Sequence, residues 1–203
     1  MAEANEAEVQ RLLPLVSVQR REQALRYKHL FGQFCCLKSW MMLRELLNER
    51  MKELKNEGVN ELESERMNEL MDEWEYNEYG KPSFHLSPFT SHLYFSISHC
   101  KEGIAVAVDD KPIGIDIESI RHADEELIER TMNESERQLI AKANANADRT
   151  FTRLWTQKEA VVKALGTGIT SFEQLQKILV ERGEWRVESF ENEKYIYSIA
   201  YKL

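Results

Sequence analysis

Three carboxylates and two lysines are spaced in this chain so that they could meet at one site. In Ile113 to Glu118, IGIDIE, three isoleucines alternate with Gly114, Asp116 and Glu118. A period of two puts the isoleucines on one face of a strand and both acids on the other, with Gly114 leaving room beside them. Two acids on one strand face repel each other, and Asp is a poor strand former. A bound cation would relieve that repulsion; a solvated edge strand would also tolerate it. In Trp155 to Gly168, WTQKEAVVKALGTG, the residues Trp155, Glu159, Val162 and Lys163 recur at helical spacing. An indole, a carboxylate and an ammonium therefore share one helix face, and the helix exits through Gly166-Thr167-Gly168, where positive φ costs little. Taken alone, Glu159 and Lys163 make an i,i+4 salt bridge. Joined to Asp116 and Glu118, Glu159 completes a hard, oxygen-only, anionic set that suits Mg²⁺ rather than zinc.

Gly114/Asp116/Glu118 and Trp155/Lys158/Glu159/Lys163 together resemble the two signatures of the Sfp-type 4′-phosphopantetheinyl transferases, Gly-x-Asp-x-Glu and Trp-x-x-Lys-Glu-x-x-x-Lys. Two further pieces stand upstream in the family's order: Tyr79-Gly80-Lys81-Pro82, and Phe95-Ser96-Ile97-Ser98-His99, which is similar to the family's Phe-Asn-x-Ser-His. The resemblance runs from residue 17 to residue 170. It departs from the family at Ser96, where Asn is usual, and at Thr131-Met132, which replace an aromatic pair before the acid aligned with Glu136.

The resemblance implies an α+β fold, a pseudo-dimer of two similar halves in which a long helix packs on a small antiparallel sheet, with coenzyme A in the cleft between them. It implies transfer of 4′-phosphopantetheine from coenzyme A to a serine of an apo acyl or peptidyl carrier protein, with release of 3′,5′-ADP. Asp116, Glu118 and Glu159 would hold Mg²⁺, and Lys158 and Lys163 would add positive charge at the same pyrophosphate oxygens. Glu159, or a metal-bound water it orients, would take the serine proton. Lys81, Ser98 and His99 would contact coenzyme A phosphates, and Arg20 and Lys38 its 3′-phosphate and adenine end. Because both halves of the cleft lie in one chain, a monomer is expected. A Mg²⁺-dependent phosphohydrolase or nuclease needs similar carboxylates, while a non-enzymatic coenzyme A or carrier-protein binding module could drop them; the presence of all three favours catalysis.

Composition sets the frame for these residues. The chain has 203 residues, 42% hydrophobic and 31% charged, enough for a real core in one large or two small domains. Its net charge of -8 argues against nucleic acid or an anionic membrane as partner. The acidic start MAEANEAEVQ has no apolar core of a signal peptide, and no run is long enough to span a bilayer, so the expected location is cytoplasmic. Cys35, Cys36 and Cys100 are odd in number and two are adjacent, which reads as buried thiols rather than a disulfide framework. A zinc site from Cys100, His85, His92 and His99 matches no standard ligand spacing.

The elements that must position the site follow from periodicity. Leu37, Trp40, Met41, Leu43, Leu47, Met51 and Leu54 recur at threes and fours, predicting a long core helix from Phe31 to Leu54. It is preceded by a basic cluster of Arg20, Arg21, Arg26 and Lys28. An acidic amphipathic helix is expected from Glu57 to Glu75. Tyr79 to Pro82 is a turn in which Pro82 holds Lys81 extended. Strands at Leu93 to Ser98 and Gly103 to Val108 then lead through Asp109-Asp110-Lys111-Pro112 into IGIDIE, a pattern that predicts an antiparallel meander with His99 near the carboxylates. Helices follow at Asp124 to Arg130 and Asn133 to Asn144. Glu136 either closes a capping box with Asn133 or serves the site. After the ANANAD linker comes the helix from Asp148 to Leu165, and a hairpin, Trp185 to Phe190 with Tyr195 to Tyr201, closes the chain. The two halves are expected at residues 1–109 and 110–203.

Overall fold

The computed structural model describes residues 4–56, 74–84, 93–178 and 185–203. In chain order the helices are α1 (Glu6–Leu12), α2 (Val18–Leu25), α3 (Leu30–Asn56), α4 (Glu125–Thr131), α5 (Glu134–Lys142), α6 (Ala147–Leu165) and α7 (Phe172–Lys177). The strands are β1 (Trp74–Tyr76), β2 (Pro82–Phe84), β3 (Tyr94–Cys100), β4 (Gly103–Asp109), β5 (Ile113–Ser119), β6 (Trp185–Glu191) and β7 (Tyr195–Lys202). The fold is α+β, with short antiparallel sheets packed by helices. The acidic helix expected over 57–75 falls mostly outside the described residues, as do His85 and His92.

The long helix α3 buries Leu37, Trp40, Leu43 and Leu47, the threes-and-fours stripe of the sequence, against Val9 and Leu12 of α1 and Phe95 of β3. The acidic N-terminus thus contributes a helix of its own: the Asn5 side chain accepts from the Glu8 amide at 3.0 Å and starts α1. Cys35, Cys36 and Cys100 are buried free thiols.

β3 and β4 form one antiparallel hairpin, and β5, β7 and β6 form a second sheet in that order. The meander expected through β3, β4 and β5 is therefore not formed: β5 takes its ladder partner from the far end of the chain, Asp116 standing opposite Ser198 on β7. Its other edge faces β3 without a ladder. There the Ser96 hydroxyl accepts from the Ile115 amide at 3.0 Å and the Ser98 hydroxyl from the Ile117 amide at 3.3 Å. The contacts advance in the same direction on both strands, so β3 and β5 run parallel, and side-chain oxygens replace the missing carbonyl acceptors. Ser96, at the position where the family has Asn, is one of the two latches. β5 is buried from Ile113 to Ile117, which rules out the solvated edge strand.

α6 lies on the other face of β5. Its Ala160 and Ala164 form a cluster with Val161 and with Ala200 of β7. Small residues permit a close approach, and Gly114 completes it, since a Cβ there would overlap the Ala160 carbonyl oxygen and the Ala164 nitrogen. The space at Gly114 thus belongs to the helix backbone, not to the acids beside it. α6 ends where Gly166 adopts φ 73° and returns its amide to the Val162 carbonyl at 2.9 Å. The ANANAD linker is a short 3-10 turn, Asn144–Asn146.

Candidate active site

The strand period and the helix period together decide which side chains meet between β5 and α6. Asp116 and Glu118 share the β5 face turned toward the helix, and Glu159 and Lys163 share one face of α6. Asp116 is 4% exposed. Its Oδ1 accepts from the Lys163 ammonium at 2.7 Å and from the Ser98 hydroxyl at 2.8 Å, and Lys163 also reaches Ser98 at 2.9 Å. Its Oδ2 is buried without a hydrogen-bond partner among the described residues. A buried carboxylate oxygen left unpaired is costly in a folded protein.

The acids feel one another. Glu159 is pushed up to about 7, first by desolvation and then by the negative charge of Asp116, with Lys163 pulling the other way. Glu118 is also raised by desolvation and by Asp116, against Arg121 and Lys163. Among the described residues no three acidic, His or Cys side chains are already drawn together as a closed metal cage. The chemistry of the donor set still fits a hard cation: Glu118 and Glu159 are two carboxylates whose ionisation the Asp116 charge disfavours, and Asp116 presents an unpaired buried oxygen.

Lys163 and Glu159 open onto a cavity of about 380 Å³, lined also by Lys81, Ser96, Val162 and Ile169. The Tyr79–Pro82 turn, β3 and α6, three separately spaced motifs, thus share one wall system. The turn is docked on the helix exit by Asn77, whose side-chain amide donates to the Gly166 carbonyl at 2.8 Å while its Oδ1 accepts from the amides of Tyr79 and Lys81 at 3.0 and 2.9 Å. Asn77 is absent from the sequence reading, although Asn ahead of Tyr-Gly is a signal for an Asx-type turn. The Lys81 ammonium reaches the Ala164 and Ile113 carbonyls at 3.2 and 3.4 Å, and burial lowers its pKa to about 8.

Other expected site residues lie elsewhere. Lys158 is fully buried and points away from Glu159, 100° around the helix: its ammonium pairs with Glu136 at 2.8 Å and donates to the Leu175 and Ile178 carbonyls at the end of α7. Burial lowers its pKa, opposed by Glu136. Lys158 is therefore not a charge at the cavity, because its donors hold α5, α6 and α7 together. Glu136 also closes the capping box with Asn133, so both of its partners are structural. Arg20 is buried between the indoles of Trp40 and Trp74, at 4.8 and 4.6 Å, and donates to the Cys36 carbonyl, Gln23 and Ser39. Its expected phosphate contact is replaced by a structural role. Lys38 lines a different hollow, about 560 Å³, between α1 and α3.

His99 lies on the face of β3 opposite Ser98, exposed, with its ring edge-on to Phe31 of α3 at 6.1 Å. Strand alternation thus keeps it off the carboxylate face where the meander would have set it. Desolvation and then the Lys163 charge lower its pKa.

These parts define an α+β protein with two helix-on-sheet units whose acids and lysines converge beside one cavity. Residues 112–203 match the model of the 4′-phosphopantetheinyl transferase superfamily. It is 30% identical over 164 residues to the 4′-phosphopantetheinyl transferase psf-1 of Bacillus pumilus, covering 80% of this chain and 63% of that protein. It is 38% identical over 94 residues to gsp of Aneurinibacillus migulanus, covering 46% and 38% of the two chains. With Sfp of Bacillus subtilis strain 168 the identity is 25% over 167 residues, 82% of this chain and 67% of the relative. The matches thus span between about two fifths and two thirds of these relatives' lengths. Among the described residues no helix is long and apolar enough to cross a membrane.

Proposed function

We propose that this protein transfers the 4′-phosphopantetheine group from coenzyme A to a serine hydroxyl of an apo acyl or peptidyl carrier protein, with Mg²⁺, releasing 3′,5′-ADP. The observation that supports this best is the single cavity shared by the Tyr79–Pro82 turn, β3 and the Glu159/Lys163 face of α6. The names of the similar proteins agree with it. In this reading residues 1–109 and 110–203 are the two halves, and one cytoplasmic chain suffices as a monomer.

The serine oxygen forms a bond to the phosphorus that carries pantetheine, and the bond from that phosphorus to the 3′,5′-ADP oxygen breaks. Such a transfer depends mostly on positioning and on neutralising charge. Asp116, Glu118 and Glu159 would hold Mg²⁺, which when bound offsets charge on the pyrophosphate oxygens. Lys163 lies at the cavity with its ammonium on Asp116, and adds fixed positive charge beside the leaving group. Lys81, held by the turn and by Pro82, presents a desolvated ammonium that gains from an anionic partner. Glu159, or a water it orients, would take the serine proton. The apolar walls, Phe95, Val162 and Ile169, keep bulk water from these charges. His99 would meet a coenzyme A phosphate that does not react, on the outer face of β3.

The test is the intact mass of apo carrier proteins after incubation with coenzyme A, Mg²⁺ and this protein. A gain of one phosphopantetheine is expected. Nucleotide release with every carrier left unmodified would favour a phosphohydrolase and overturn the proposal.

A further inference from the structure

A serine hydroxyl has one proton to donate and two lone pairs to share. At Ser98 all three are committed within the protein. The Ile117 amide at 3.3 Å and the Lys163 ammonium at 2.9 Å are both pure donors, so they take the two lone pairs. The one proton that remains goes to Asp116 Oδ1 at 2.8 Å. Ser98 is buried, and nothing of its capacity is left for a further acceptor.

The geometry has a direction. Asp116 sits on β5 and Ser98 on β3, two strands without a ladder between them, so the orientation of the carboxylate is not imposed by main-chain pairing across that gap. The hydroxyl of Ser98 and the ammonium of Lys163 both engage Oδ1, which leaves Oδ2 as the buried, unpartnered atom. We infer that Ser98 is a positioning residue for Asp116: it turns the carboxylate so that Oδ2 is left for a divalent cation, and it does not bind a phosphate of coenzyme A. The inference rests on the reading of Asp116 as a metal ligand and replaces the coenzyme contact that the family resemblance implied for Ser98. Groups that orient metal ligands commonly change metal affinity about 10–100-fold when removed.

The experiment separates metal from phosphate. Mn²⁺ binding is measured by electron paramagnetic resonance on wild type, Ser98→Ala, Ser98→Thr and Asp116→Asn, and 3′,5′-ADP binding by calorimetry on the same proteins in EDTA, with melting temperatures as a check on folding. Ser98→Ala is expected to weaken Mn²⁺ about tenfold or more and leave 3′,5′-ADP affinity in EDTA within twofold of wild type. Ser98→Thr keeps the hydroxyl on a residue that suits a strand and should recover most of the Mn²⁺ affinity; it also carries the test should Ser98→Ala fold poorly. Wild-type Mn²⁺ affinity in Ser98→Ala together with weakened 3′,5′-ADP binding would overturn the inference. So would a Ser98→Thr variant that folds as wild type yet binds Mn²⁺ as poorly as Ser98→Ala. Equal Mn²⁺ binding by wild type and Asp116→Asn would instead overturn the metal-ligand reading of Asp116, and the role of Ser98 with it.

Discussion

Gly114 on β5 lies directly against the main chain of Ala160 on α6, so that the strand bearing Asp116 and the helix bearing Glu159 touch backbone to backbone. This contact sets how far apart the two carboxylates stand. A methyl group at 114 has only backbone to meet, and backbone does not rotate away. Gly114→Ala is expected to cost several kcal/mol or to prevent folding, by the same overpacking that penalises any enlargement of a tight core. Chemical denaturation measures it; a variant that unfolds at the wild-type midpoint would contradict the packing described.

Lys158 and Glu136 form a buried pair, their side chains 1% and 9% exposed. Removing one charge leaves the other buried without compensation, so Lys158→Met should cost about 3–5 kcal/mol. Lys158→Met with Glu136→Gln removes both charges while keeping a side chain able to cap α5, and should recover part of that loss. Urea titration of the three proteins checks this. A Lys158→Met protein of wild-type stability that loses only turnover would return Lys158 to the cavity.

Ladder partners and buried cations are where the sequence misleads, and both failures have physical causes. The α3 stripe, the α6 face, the Asn133/Glu136 capping box and the β6–β7 hairpin are legible because each rests on contacts within one element or across one short turn. The pairing of β5 with β7 joins strands some eighty residues apart, and no local period encodes it. Arg20 reads as a surface base because its indole partners, Trp40 and Trp74, come from two distant segments. Lys158 and Glu159 are adjacent in the motif, yet the helix turns them to different surroundings. α7 is too short to show a period, although Ser171 with Gln174 three residues on is a capping signature that marks its start. Of the candidate site, Asp116, Lys163 and Ser98 meet, Glu118 and Glu159 act on them electrostatically, Lys81 shares the cavity, and Arg20, Lys38 and Lys158 lie elsewhere.

The Lys81 ammonium has a pKa lowered from 10.5 to about 8 by burial. Between those values the unfolded chain binds more protons than the folded one, so the Lys81 contribution to stability rises with pH across that window. Below pH 8 the folded protein carries the full cost of a desolvated charge. Lys81→Met should therefore be more stable than wild type by about 1 kcal/mol near neutrality, after allowing for partial solvent screening, and the difference should shrink as pH approaches 10.5. Melting temperatures of both proteins across this range test it; a gap that stays constant or widens with pH would contradict the assignment.

His99 faces away from Asp116, so its proposed contact is with a phosphate that keeps its charge throughout the reaction. Such an interaction is equal in ground and transition states. His99→Ala should raise KM for coenzyme A about tenfold and leave kcat near wild type. Steady-state kinetics with coenzyme A varied would show it, and a fall in kcat at unchanged KM would place the imidazole at the reacting phosphorus instead.

If Asp116 serves the transfer of phosphopantetheine, its loss must slow nucleotide release and carrier modification alike. The most direct test follows 3′,5′-ADP release and holo-carrier formation together, by chromatography and intact mass, for wild type and Asp116→Asn. Wild type should give the two products in equal amounts, and Asp116→Asn, with a normal circular dichroism spectrum, should lower both rates together by about a hundredfold or more. Nucleotide release that outruns carrier modification in wild type would point to hydrolysis instead of transfer, and an Asp116→Asn protein that transfers at the wild-type rate would remove Asp116 from the reaction.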